Sequence, residues 1–189
     1  HRVARRDRCI CIIYRDNPAN KLIARAVPCA PLLLAAQQPN KSPKLQKVGH
    51  TMPRLVMKFG GTSVANLDRI RNAAERVRLE VDKGYDVIVI VSAMSGKTNE
   101  MVEWVNETSA LYDAREYDAV VSSGENVTAG LMALTLQEMN IPARSWQGWQ
   151  VPVKTTNSHA NARIQEIPSA NLDAKFADDM RVAVVAGFQ

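Results

Sequence analysis

Lys58-Phe59-Gly60-Gly61-Thr62-Ser63 places a cation and two side-chain-free backbone units where an apolar stretch, Leu55-Val56-Met57, gives way to a helical pattern. Residue types in that order suit the holding of an anion such as a phosphate group. Paired glycines let the main chain approach it closely and take positive φ if required. A helix start directs N–H groups at it, and a lysine buried in an apolar strand needs a negative partner. The same residues would also fit a tight strand-to-helix turn with Lys58 reaching solvent. A second candidate is Ser92-Ala93-Met94-Ser95-Gly96-Lys97-Thr98-Asn99, which follows Val87-Ile88-Val89-Ile90-Val91. Its Gly-Lys-Thr is not a P-loop, because the glycine required five residues before Gly96 is replaced by Val91. What remains is a loop of small polar residues able to meet a substrate or phosphate through hydroxyl and N–H groups, or simply a connection in which Thr98 or Asn99 caps the next helix. The third is Val121-Ser122-Ser123-Gly124-Glu125-Asn126, read as opening an apolar helix with Glu125 in or beside its first turn. A lone carboxylate there could receive an ammonium group or merely complement the helix dipole.

The elements that must position these residues follow from periodicity. Apolar residues at 64, 67, 70, 74, 77 and 81 predict a helix over 64–81, with Ser63 as N-cap and Gly84 as its stop. Five consecutive β-branched residues at 87–91 predict a central strand covered on both faces. Helices are expected over 99–111 and 114–139, the latter ended by Pro142, and short strands over 143–146 and 151–154. Residues 157–164 are ambiguous, and 181–186 predict a third buried strand. Strands alternating with helices predict an α/β domain with a largely parallel sheet, whose ligands bind beyond the carboxyl ends of the strands, where Gly187-Phe188-Gln189 also falls. His159 has no partner at metal spacing and reads as a loop residue, and Trp104, Trp146 and Trp149 read as packing anchors.

The 189 residues suffice for about one domain. The net charge of +5 is unevenly distributed, since residues 1–51 hold ten Lys/Arg against two Asp/Glu while residues 52–189 hold fourteen against seventeen. A nucleic-acid partner would therefore rest on the first segment alone, which lacks aromatic interleaving and any recognisable binding module, so none is expected. All three cysteines, Cys9, Cys11 and Cys29, lie in that segment without zinc spacing, and no metal site is expected from protein ligands. The apolar run Pro31–Ala36 is too short to cross a bilayer, and no membrane partner is expected. Residues 1–51 read as an unstructured or non-native basic leader ahead of Met52-Pro53.

In combination, the three motifs resemble those of aspartate kinase, in the amino acid kinase superfamily, from about Met52 to Gln189. Lys-Phe-Gly-Gly-Thr-Ser-Val at 58–64 resembles its nucleotide signature, the run at 91–99 its second loop and Val-Ser-Ser-Gly-Glu at 121–125 its third. The resemblance implies a three-layer αβα fold with a largely parallel central sheet, of which residues 52–189 would be the N-terminal part. The later Arg-Gly-Gly-Ser-Asp segment and the regulatory ACT domains fall outside the sequence. It implies ATP contacts from Lys58, Phe59, Gly60, Gly61, Thr62, Ser63 and Ser92, with Lys58 catalytic. Thr98, Glu125 and Phe188 would contact the substrate L-aspartate, Glu125 through the α-ammonium group. It further implies ATP with Mg²⁺, a cytoplasmic location, a homo-oligomer, and a product, 4-phospho-L-aspartate, on the route to lysine, threonine and methionine. Another amino acid kinase acting on glutamate, acetylglutamate or a nucleotide, or a truncated nucleotide-binding polypeptide without activity, are the alternatives.

Overall fold

Strand β4 (Asp86–Val91) is the continuous β-branched run, and it lies between two parallel neighbours as a strand apolar on both faces must. In this computed structural model, residues 52–188 are described, together with the backbone of two short antiparallel strands, β1 (Ile10–Ile13) and β2 (Ile23–Ala26). The expectation for the basic leader otherwise falls outside the described residues. β3 (Arg54–Phe59), β4, β8 (Val182–Ala186) and β5 (Ala143–Trp146) form a four-stranded parallel sheet in the order β3-β4-β8-β5.

Helices cover both faces. Val87, Val89, Val91, Val182 and Val184 pack with α1 (Leu67–Asp82) and α3 (Ala114–Glu138) through Ile70, Val77, Met132 and Leu136. The alternate residues Ala183 and Val185 meet Leu172, Phe176 and Trp146 on the side of α4 (Ala170–Asp178). Period-two alternation thus separates two apolar layers, giving the expected three-layer αβα arrangement. The helix α4 is not legible in the sequence, being only nine residues long with Leu172 and Phe176 as its only large apolar residues.

Several boundaries differ from expectation. Between β3 and α1, residues Gly61–Val64 form a tight 3₁₀ turn, and α1 starts at Leu67 because Asn66 caps it, its side chain accepting from the Arg69 N–H at 3.0 Å. Ser63 therefore does not cap the helix. Gly84, at φ +96°, does end it as expected, its N–H donating to Val81 O at 2.9 Å. α2 runs Lys97–Thr108 and is preceded by Gly96 at φ +83°, so neither Thr98 nor Asn99 is its cap. The 151–154 stretch is mostly turn. Only β6 (Lys154–Thr155) forms there, pairing with β7 (Ile164–Glu166) apart from the main sheet. Trp146 is a packing anchor, whereas Trp104 and Trp149 are 52% and 79% exposed.

Opposite the loops of interest, Arg181 Nε donates to Asp86 Oδ1 at 2.8 Å and its Nη2 to Tyr85 O at 2.9 Å, tying β8 to β4. The Asp86 side chain is 9% exposed, so losing the guanidinium leaves a poorly solvated charge. Arg181→Ala is expected to lower unfolding free energy by about 3 kcal/mol in urea titrations, and a loss below about 1 kcal/mol would contradict this role for the pair.

Candidate functional site

Phe59, Val91 and Ala186 are register partners across β3, β4 and β8, so the three chains leave the sheet at one level. The ladder continues one step past the strands: the Ser92 N–H donates to Phe59 O at 3.1 Å and the Gly187 N–H to Val91 O at 3.0 Å. The Lys58–Ser63, Ser92–Thr98 and Gly187–Phe188 segments therefore begin side by side at the carboxyl edge.

Lys58 is exposed rather than buried, so its charge carries no desolvation cost that a partner must offset. The Gly60 N-cap residue sits at φ −76° and Gly61 is not among the residues with positive φ, so neither glycine is required by an unusual backbone angle. A Cβ on Gly61 would stand 3.1 Å from Ala93 O, which presses the first loop against the second, while a Cβ on Gly60 would meet open space. The Ser63 N–H donates to Gly60 O at 2.8 Å, closing the turn, and Thr62 is exposed within it.

Glu125 lies midway along α3 and not at its start, because Asp113 caps that helix twelve residues earlier, its carboxylate accepting from the Arg115 N–H. This placement carries the Glu125 carboxyl, in a residue 9% exposed, to the carboxyl edge of the sheet. Its Oε2 accepts from the Phe188 N–H. Burial pushes its pKa above the ordinary 4.5, while hydrogen bonds from the backbone N–H groups of Phe188, Ala93 and Gly187 and the positive charge of Lys58 hold the rise back.

The structure thus brings Lys58, Phe59, Gly60, Gly61, Ser92, Glu125 and Phe188 to one edge. Thr98 sits exposed in the first turn of α2, and among the described residues no recorded hydrogen bond joins its side chain to this group. His159 is a loop residue as expected, with Nδ1 2.9 Å from Asp118 Oδ2. Sequence reasoning missed Ala93 and Gly187, which contribute backbone N–H groups that no residue type announces.

A model of the amino acid kinase family matches residues 53–189. The chain belongs to this family. It is 46% identical over 141 residues to an aspartokinase from Rickettsia felis, a match covering 73% of this chain and 35% of that protein. It is 41% identical over 138 residues to aspartokinase 2 of Bacillus subtilis, covering 73% and 33%. The chain therefore spans about a third of the length of these curated relatives. Among solved structures, aspartate kinase from Synechocystis superposes with TM-score 0.56 at 34% identity, covering 68% of this chain and 21% of that one. E. coli aspartokinase III in complex with aspartate and ADP superposes with TM-score 0.57 at 20% identity, covering 70% and 40%, a likeness of fold.

The raised Glu125 pKa has a stability consequence. Its protonated form favours the folded chain, a contribution complete below the ordinary 4.5 and lost as pH rises through the folded-state value. Glu125→Gln, which cannot ionise, is expected to gain in melting temperature relative to the unmodified protein as pH is raised from 4.5 toward neutrality. A difference that stays flat or shrinks over that range would contradict the assignment.

Proposed function

We propose that this chain is the nucleotide- and substrate-binding part of an aspartate kinase, which transfers the γ-phosphoryl group of ATP to the β-carboxylate of L-aspartate and forms 4-phospho-L-aspartate. The observation that carries the reading is the convergence of Lys58, the Gly60–Gly61 turn, Ser92 and Phe188 around Glu125 at one sheet edge. The aspartokinase names of its relatives support it.

The chemistry asks little of acid or base. The acceptor carboxylate has a pKa of about 3.9 and is ionised at neutral pH, so no group need remove a proton. The difficulty is bringing two anions together, which positioning and charge neutralisation overcome. In this reading the exposed Lys58 ammonium neutralises the transferred phosphoryl group. Gly60 and Gly61 let the main chain approach the phosphates, and Phe59, Thr62, Ser63 and Ser92 complete that nucleotide side. Glu125 receives the α-ammonium group of aspartate, with Thr98 and Phe188 on the same acceptor side.

ATP would bring Mg²⁺ as the counter-ion of its phosphates. Among the described residues no three His, Cys, Asp or Glu side chains come together to hold a metal, and none of the roles given to this chain runs through one. The reading carries with it a cytoplasmic homo-oligomer on the route to lysine, threonine and methionine. Among the described residues no helix is long and apolar enough to cross a membrane.

The test uses the protein encoded by the complete gene, assayed for ADP formation with aspartate, glutamate and acetylglutamate and for trapping of the acyl phosphate by hydroxylamine. Turnover dependent on aspartate is expected, and Lys58→Ala should lower kcat about a hundredfold or more. Preference for another acceptor would refute the substrate, and near-normal turnover of the lysine variant would remove Lys58 from the mechanism.

A further inference from the structure

Resting on that reading, we propose that Glu125 is also a positioning residue for the nucleotide side: its carboxylate ties the loop at Ala93 to the loop at Phe188, so one side chain sets both halves of the site.

The need for such a tie follows from the topology. β4 and β8 pair in register to Val91 and Ala186, and the last backbone bond between the departing chains is from the Gly187 N–H to Val91 O at 3.0 Å. Beyond it, among the described residues, no backbone hydrogen bond joins the two loops. The Glu125 carboxylate lies in that gap: its Oε2 accepts from the Phe188 N–H, and the backbone N–H groups of Ala93 and Gly187 face it closely enough to favour its charged form. An ionised carboxylate offers about four acceptor positions, enough for these amides and one further donor such as a substrate ammonium. The two roles are compatible.

The base of this tie is firm. Thr128 and Ala129, one turn along α3, are completely buried, and the Thr128 hydroxyl donates to Gly124 O at 3.1 Å. The lack of a side chain at Gly187 makes room for the carboxylate, and the lack of one at Gly124 lets the second loop pack on α3. A Cβ on Gly187 would stand 3.3 Å from Glu125 Oε2, 3.2 Å from Val91 O and 3.0 Å from Ile90 Cγ2. A Cβ on Gly124 would collide with Met101 and stand 3.1 Å from the Ala93 Cβ. From Ala93 the link runs on, because the main chain of Gly61 lies against Ala93 O. A residue on α3 therefore reaches the Lys58–Ser63 turn through one intermediate loop.

The experiment compares Glu125→Ala, Glu125→Gln and Gly187→Ala in the complete protein, by site-resolved amide exchange and by the KM for ATP and for aspartate. Glu125→Ala removes the acceptor and is expected to speed exchange at Ala93 and Phe188 about tenfold and to raise both KM values about tenfold. Glu125→Gln keeps an acceptor oxygen without the charge, so it should largely preserve protection at both amides and the KM for ATP while raising the KM for aspartate. Gly187→Ala, which displaces the carboxylate without deleting it, should loosen both amides, and it carries the test where Glu125→Ala does not fold. Unchanged exchange in both Ala variants, or a rise in KM for aspartate alone in them, would overturn the proposal and leave Glu125 a substrate contact only. Faster exchange in a protein whose unmodified form shows no aspartate-dependent turnover would support the tie while refuting the kinase reading.

Discussion

Three parallel strands that stop at a common level impose the geometry on which the candidate site depends. Because Phe59, Val91 and Ala186 are partners across the sheet, the segments that follow them emerge adjacent and pointing the same way. Parallel strands need long crossovers, so these neighbouring segments are far apart in sequence and their proximity is entirely tertiary. The sheet is held from the other end as well, where the Arg181–Asp86 pair fixes β8 against β4. Alternating apolar residues bind helices to both faces and leave the carboxyl edge as the place where polar groups gather.

At that edge the two principal charges are placed differently. Lys58 stands in solvent, available to an anion without prior desolvation. Glu125 is enclosed, and the amides around it offset only part of a burial that favours its neutral form. The enclosure makes its position well defined, and well-defined position is what a reaction governed by orientation requires. The long helix α3 makes this possible by running past the sheet edge, so that a residue at its middle rather than its end faces the loops.

The sequence disclosed the parts that rest on periodicity and on side-chain type. The β-branched run at 87–91 could only be a covered strand, and Lys58 with its glycines, Ser92, Glu125 and Phe188 do meet at one edge. Less legible were features decided by short-range competition or by the main chain. Asn66 outcompetes Ser63 as a cap because residues 61–64 first close a 3₁₀ turn. Glu125 was expected in or beside the first turn of a helix, yet it and Gly124 are interior to α3, where the glycine gives clearance to Met101 and Ala93. The amides of Ala93 and Gly187 have no signature in residue identity, because every residue but proline carries one.

The account's central claim is that the edge formed by β3, β4 and β8 is where nucleotide binds. Its most direct test is amide chemical-shift mapping of the protein titrated with a non-hydrolysable ATP analogue. The largest changes should fall on Gly60, Gly61, Thr62, Ser92 and Ala93. Changes confined instead to the apolar groove between α2 and α3 around Trp104 and Tyr117, with Gly60 and Gly61 undisturbed, would contradict it.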